Sequence, residues 1–221
     1  MPISVVDLGT VTGGALATLT LSNINVPAGS SIFVMCTNGS VNSSSPVPSD
    51  NVNGTYTNIG QQQLAGSSLN GSCRMSWLQN SAAISNGTLT FTGDGSGGFG
   101  SSMTAFYVSG YVSGFASLRT SGTSFTSSVT TSGNAVIGDF VVGGVGCSGA
   151  TGQDSNYTSP FTATSFVCGG HMTAAAATSQ TYAPSGISGN AAAVIAVFAP
   201  GTPIPPTAAI TGSWVDNMCG G

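Results

Sequence analysis

The stretch Val26-Pro-Ala-Gly-Ser-Ser-Ile-Phe-Val-Met-Cys36 predicts a tight turn that leads directly into a buried β-strand. Pro27 and Gly29 are typical turn residues, and the apolar run that follows has the length of a strand. Similar runs recur at residues 88–92, 103–108 and 193–198, separated by clusters of Gly, Asn, Ser and Pro. This spacing is typical of a β-sandwich, so the sequence predicts an all-β, antiparallel fold.

Charge is almost absent from the chain. Six aspartates stand against Arg74 and Arg119, the net charge is −4, and charged residues make up 4% of the sequence, whereas an ordinary domain has about 25%. Two arginines cannot neutralise a run of phosphates, so we expect no nucleic-acid partner. No apolar stretch reaches the length of about 18 residues that a membrane-spanning helix needs, so we expect no membrane partner either.

The two halves of the chain repeat one order of features. Each has a Thr-rich strand, a turn, a strand with a cysteine, a variable loop, a second strand with a cysteine, and a final apolar strand. We therefore expect one sandwich domain over residues 1–199, built of halves at about 10–118 and 119–199. Only polar residues at Arg119 to Thr123 separate these halves, which favours a shared core over two separate barrels.

Four cysteines occupy matching places in this repeat: Cys36 and Cys73 in the first half, Cys147 and Cys168 in the second. One interpretation is a disulfide within each pair, which would stabilise each half by about 2–4 kcal/mol. The other is free, buried thiols in a protein assembled in a reducing compartment. No CxxC pair is present, so we expect no metal site and no cofactor.

The last segment predicts an extended arm. Pro200, Pro203, Pro205 and Pro206 favour polyproline geometry after the sandwich, and residues 200–221 are too few for a core. The tail nevertheless has apolar and thiol side chains that we expect to dock on a neighbouring subunit, namely Ile210, Trp214, Val215 and Cys219. A free tail is the alternative.

Catalytic chemistry has little support in the sequence. His171 is the only histidine, and no Gly-x-Ser-x-Gly motif accompanies it. A pair of catalytic carboxylates would have to be Asp139 and Asp154, which fall in different predicted elements. We therefore expect a protein without enzymatic activity. The alternative is a carbohydrate-binding or adhesive module for a host-surface glycan, since five tyrosines fall near predicted strand ends and aromatic rings stack on sugars.

The chain resembles jelly-roll-like virion proteins of tailed bacteriophages in four segments. They are the turn and strand at Asn25 to Met35, the segment Asp50-Asn-Val-Asn-Gly-Thr-Tyr-Thr57, the Trp77 strand and the strand Ser102 to Gly110. The resemblance covers roughly residues 10–200. It implies a jelly-roll-like sandwich that serves as a head-decoration, head-fibre or tail-attached virion component, with a partner in the major capsid protein or the tail subunits. The near-neutral surface and the apolar tail favour a homo-oligomer as well. The resemblance also implies a place on the virion surface after assembly in the host cytoplasm, and no secretory signal is visible at Met1 to Ser4.

Overall fold

The computed structural model describes residues 3–14, 18–38, 47–63, 72–93, 100–112, 114–150, 152–159 and 167–205. These residues form an all-β, jelly-roll-like sandwich with antiparallel strand pairs, as the sequence predicts. No helix in these ranges has the length and apolarity needed to cross a membrane.

The first half folds into a five-stranded and a four-stranded sheet. The first large sheet has the order β1-β9-β3-β7-β6, and the first small sheet has the order β2-β8-β4-β5. Their strands are β1 (Ser4–Gly13), β2 (Thr18–Val26), β3 (Ser31–Asn38), β4 (Ser49–Asp50), β5 (Gly54–Thr55), β6 (Thr57–Gln63), β7 (Ser72–Leu78), β8 (Ile84–Thr92) and β9 (Ser101–Ser109). The first strand therefore lies beside the last, as in the double-sheet jelly roll.

The second half repeats this topology with fewer strands, and only its small sheet has much shorter ones. The second large sheet has the order β10-β15-β12-β13, and the second small sheet pairs β11 with β14. The strands are β10 (Ser117–Ser124), β11 (Val129–Thr130), β12 (Phe140–Ala150), β13 (Val167–Thr173), β14 (Thr181–Tyr182) and β15 (Ile187–Ala199). In sheet position, β10, β12, β13 and β15 correspond to β1, β3, β7 and β9, and β11 and β14 correspond to β2 and β8.

The two halves stack through their large sheets. One core cluster, the shared core, joins Phe33, Met75 and Trp77 of the first half to Val142 and Phe198 of the second. A second cluster lies between the first large and first small sheets, and a third lies between the second large sheet and its outer layer. Strands β3 and β12 are buried on both faces, because successive side chains point to opposite sides of a strand.

Phe33 lies at the centre of the shared core. Its ring stacks on Phe106 with centroids 5.2 Å apart, and the ring of Phe198 meets it edge-on at 5.0 Å. Phe140, also from the second half, lies 5.9 Å away. Such pairs add about 0.5–1.5 kcal/mol each beyond the area they bury. One aromatic cluster therefore holds both halves together.

Glycines in β12 and β13 allow the large sheets to approach closely. A Cβ atom at Gly144 would lie 1.8 Å from Sδ of Met35, and one at Gly169 would lie 2.1 Å from its Cε. Both distances are far below van der Waals contact. The side chain of Met35 therefore packs directly on the backbone of the second half.

The junction between the halves differs from the expected one. Arg119 to Thr123 lie inside strand β10, and the chain crosses between the halves at residues 110–116. The second half therefore starts with β10 at Ser117, close to the expected boundary. The first half starts with β1 at Ser4, before the expected residue 10.

Candidate functional site

Equivalent turns lead into β3 and β12. The side chains of these turns form part of the surface at one end of the molecule. In the first turn the amide of Ser30 donates to the carbonyl of Pro27, and in the second the amide of Asp139 donates to that of Val136. The third residue of each turn is a glycine with positive φ, +79° at Gly29 and +91° at Gly138. Such a φ favours glycine, which explains its place in both sequences.

Both turns are held by the same pair of hydrogen bonds to a distant loop. The Gly29 amide donates to the Ser81 carbonyl at 2.8 Å, and the Ser81 amide donates back to the Ser30 carbonyl at 2.8 Å. In the second half Ala174 takes the place of Ser81. The Gly138 amide donates to the Ala174 carbonyl at 2.9 Å, and the Ala174 amide donates to the Asp139 carbonyl at 2.8 Å. The turns are therefore fixed parts of the fold.

An ion pair adds to the second turn. The Asp139 carboxylate accepts from Nε of Arg119 at 2.6 Å, from its Nη2 at 3.2 Å, and from the Val136 amide at 2.7 Å. Asp139 is 1% exposed. The corresponding residue of the first turn, Ser30, is fully buried, and its hydroxyl has no partner among the described residues. The second turn is therefore clamped by charge, and the first is not.

The clamped turn carries two exposed aliphatic side chains at its tip. Val136 is 48% exposed and Ile137 is 68% exposed, whereas the preceding Ala135 is buried. We call Val136 and Ile137 the knob. The sequence analysis did not single them out, although their match to Pro27 and Ala28 of the first turn was available as a signal.

Both turns lie at the same end of the molecule, which we call the base and define as the end at which β9 and β15 finish. Ser31 pairs with Val108 near the end of β9, and Phe140 pairs with Phe198 near the end of β15. The two strand ends lie together, because the Ile204 amide donates to the Gly110 carbonyl at 2.9 Å and the Val112 amide donates to the Thr202 carbonyl at 2.8 Å.

Exposed apolar side chains concentrate at the base. Among the described residues, the large hydrophobic side chains that remain exposed are Ile3, Val52, Val112, Leu118, Phe125, Val136 and Ile137. All but Phe125 lie at the base. Val52 belongs there because Asn53 beside it bonds to Ser81 and Ala82, the loop that holds the first turn. Phe125 follows β10 at the opposite end.

A cleft of about 310 Å³ opens at the base beside the first turn. Pro27, Ala28, Tyr111 and Ile204 form its apolar walls, and Ser4 lies at its edge. Ile204 belongs to the proline-rich segment, whose described part is bound to the body through Gly110 and Tyr111. The expected projection of the arm therefore begins no earlier than Pro205. The expected docking residues Ile210, Trp214, Val215 and Cys219 lie outside the described residues.

The four cysteines among the described residues, Cys36, Cys73, Cys147 and Cys168, are buried and form no disulfide. Cys36 lies opposite Arg74 and Cys73 lies opposite Thr37, so the two cysteines point to opposite faces of the sheet. Cys36 packs in the core between the sheets of the first half, and Cys73 packs in the shared core. The expected Cys36–Cys73 disulfide is incompatible with this register.

The cysteines of the second half point to one face. Cys168 of β13 lies opposite Val145 of β12, and Cys147 lies two residues after Val145 on β12. Residues two apart on a strand share a face, so Cys147 and Cys168 point to the same side of the sheet. Both contribute to the third core cluster with no disulfide between them, and their joining under oxidising conditions stays a prediction. Burial raises the pKa of Cys73 and of Cys168 to about 12, so neither thiol is a ready nucleophile.

His171 is a packing residue of β13. Its ring stacks on Phe140 with centroids 5.2 Å apart, and its backbone pairs with Thr158. Burial lowers its pKa from the ordinary value. Asp139 serves the turn described above, and Asp154 accepts from the amides of Asn156 at 2.9 Å and Ala183 at 2.7 Å. Both aspartates hold backbone in place.

The tyrosines offer little exposed ring surface for a sugar. Tyr56, Tyr111, Tyr157 and Tyr182 are all buried, between 0% and 7% exposed. The Tyr56 hydroxyl donates to Asp50 at 2.9 Å, and the Tyr182 hydroxyl donates to Gln153 at 3.0 Å. Only Tyr107 keeps intermediate exposure. The described ranges also contain no cluster of three or more His, Cys, Asp or Glu side chains able to hold a metal ion.

Comparison of the chain with protein-family models, with curated proteins and with solved structures found no match.

Proposed function

We propose that the protein is a non-enzymatic structural component of a bacteriophage virion, decorating or projecting from the capsid or tail. The observation that carries this proposal is the concentration of exposed apolar side chains at the base. Larger contiguous apolar areas on a rigid protein are a mark of interaction surfaces. The base therefore suits attachment.

The rest of the chain supports an assembly role. The histidine, the buried aspartates and the buried tyrosines are all used in packing or in holding backbone. The jelly-roll fold is found in viral capsid and lectin domains. Fold alone does not assign function, and the surface decides between these classes. A lectin-like role loses support because four of the five tyrosines are buried.

The proposal is tested on phage particles purified from a lysate by density-gradient centrifugation. We expect the full-length protein to co-migrate with the particles at a fixed ratio to the capsid protein. Deletion of residues 207–221 removes Ile210, Trp214 and Val215, and we expect the truncated protein to stay folded but to leave the particle fraction.

One result would contradict the proposal: full-length protein absent from washed particles would exclude a virion role. Attachment of the truncated protein at the wild-type ratio would keep the virion role and assign the attachment to the base instead of the tail. Specific binding on a glycan array, with no particle association, would favour the carbohydrate-binding alternative.

A further inference from the structure

We propose that Asn86 is a site of spontaneous covalent modification, at which the folded protein converts an asparagine to aspartate or isoaspartate. The reaction needs only water, and the proposal rests on the exposed side chain of Asn86 beside Gly87. It concerns the isolated protein and does not depend on a virion role.

Two described segments of the chain offer the same local sequence for this chemistry. Of the four Asn-Gly pairs in the sequence, Asn53-Gly54 and Asn86-Gly87 lie wholly within the described residues, and a threonine follows each of them. Glycine after asparagine favours the reaction, because glycine has no side chain to hinder its backbone nitrogen. A difference in reactivity between these two pairs must therefore come from the fold.

The reaction proceeds through a cyclic succinimide. The backbone nitrogen of Gly87 attacks the side-chain carbonyl carbon Cγ of Asn86, the nitrogen loses its proton, and the side-chain amide leaves as ammonia. Water then opens the ring. Addition of water at the side-chain carbonyl gives aspartate, and addition at the main-chain carbonyl gives isoaspartate. No oxidant or reductant takes part, and either product has one more negative charge than asparagine.

The side chain of Asn86 is exposed and is not held in place. The backbone amide of Asn86 donates to Oδ1 of Asn25 at 3.0 Å, whereas the side-chain amide of Asn86 has no hydrogen-bond partner among the described residues. Rotation about the side-chain bonds can therefore bring Cγ of Asn86 towards the nitrogen of Gly87 without breaking a hydrogen bond of the side chain.

The side chain of Asn53, by contrast, is held at both of its polar atoms. Its Nδ2 donates to the Asp50 carboxylate oxygens at 3.2 Å and 3.1 Å and to the Ser81 hydroxyl at 3.2 Å. Its Oδ1 accepts from the Ala82 amide at 2.8 Å. Hydrogen bonds to a charged group are stronger than those between neutral groups. Gly54 can attack only after these bonds break, so we expect Asn53 to be protected.

The fold also explains why the reactive pair stands inside strand β8. Asn86 has a φ of +50°, a left-handed conformation in which asparagine is enriched over most other residues. A Cβ at Gly87 would lie 2.3 Å from Cγ2 of Ile84, so the close packing requires glycine. The register of β2 and β8 shifts on both sides of the Ile24–Gly87 pair. Because the ladder is already irregular here, we expect the strand to tolerate the extra main-chain carbon of isoaspartate.

The experiment incubates the full chain at mildly alkaline pH and follows both asparagines over time by peptide mass spectrometry. We expect Asn86 to convert faster than Asn53 by about tenfold or more, because Asn53 must first lose its hydrogen bonds to Asp50, Ser81 and Ala82. Incubation in water enriched in heavy oxygen should introduce one solvent oxygen at residue 86, as ring opening by water requires.

Two controls separate the effect of the fold from the effect of the sequence. In the chain unfolded by denaturant, Asn53 and Asn86 should convert at similar rates, because the residues that follow them are the same. The variant Asn86→Asp contains one of the two products from the start. It should melt at nearly the wild-type temperature and gain no solvent oxygen at this position.

Three outcomes overturn the proposal. The first is an Asn86 that stays intact in the folded protein while it converts in the unfolded chain. The second is conversion of Asn53 as fast as Asn86 in the folded protein. The third is a preference for Asn86 that is equally large in denaturant, which would show that the fold does not control the site.

Discussion

The two halves of the molecule share a topology but build their outer layers differently. In the first half β2 and β8 run for nine residues each, whereas β11 and β14 of the second half have two residues each. Hydrogen bonds from side chains stabilise the shorter layer. Tyr157 donates to the Thr181 carbonyl at 3.0 Å, and Asp154 accepts from the Ala183 amide. The large sheets and the shared core therefore define the fold, and the outer layer can be strand or turn.

The largest effect is expected where the halves meet. Phe33→Ala removes the ring that contacts Phe106 and Phe198, and we expect a loss of about 3–5 kcal/mol in the free energy of unfolding. Because the cluster belongs to both halves, hydrogen exchange should show both losing protection together. Phe125→Ala, at an exposed position, is the control and should change stability little. Loss of protection in the first half alone would show that the halves fold independently.

Alkaline pH should act on both halves in the same way. Cys73 and Cys168 have a pKa of about 12 in the folded protein against an ordinary value of 9.0, because burial disfavours the thiolate. The unfolded chain releases these protons first, so stability present below pH 9 is lost progressively between pH 9 and 12.

Denaturant titrations with a reducing agent present check this pH dependence. Cys73→Ala and Cys168→Ala should each reduce the slope of stability against pH in that window, and to a similar extent. A slope unchanged in both variants would exclude the thiols as its cause.

A smaller effect separates the two turns. Asp139→Ala removes the bonds to Arg119 and to the Val136 amide, and should cost about 1–3 kcal/mol, reduced by the partial exposure of Arg119. Ser30→Ala at the corresponding position should be nearly neutral, because the Ser30 hydroxyl has no partner among the described residues. Chemical denaturation of the two variants measures the difference. Equal losses would show that the ion pair does not stabilise the second turn.

Much of the fold could be predicted from the sequence because turn and strand signals are local. The Pro27–Gly29 turn precedes β3 as expected, and the repeat correctly placed Cys36 and Cys147 on corresponding strands. The side of the sheet to which each cysteine points could not be predicted from the sequence. Ile32 to Cys36 is apolar throughout because β3 is buried on both sides, so the alternation that reveals a face is missing.

Other features depended on contacts between distant residues. The sequence of strand β10 resembles a polar junction, because the strand forms the edge of its sheet and its Ser, Thr and Arg side chains are largely exposed. The knob reads as part of an apolar run in the sequence, whereas the structure places it in a turn that is bonded to Ala174 and Arg119. The match of Val136 and Ile137 to Pro27 and Ala28 therefore signals a second turn, but it does not predict that the side chains of that turn are exposed at the base.

The pairing of strand ends at the base also bears on the order of the halves along the chain. Ser4 and Ile204 line the same cleft, so the beginning of the first half lies beside the end of the second. A circular permutant that joins residue 205 to residue 3 and opens the chain between residues 112 and 117 would keep every strand pair described above. The fold thus requires that the halves be joined at the base, but it is compatible with either half being synthesised first on the ribosome.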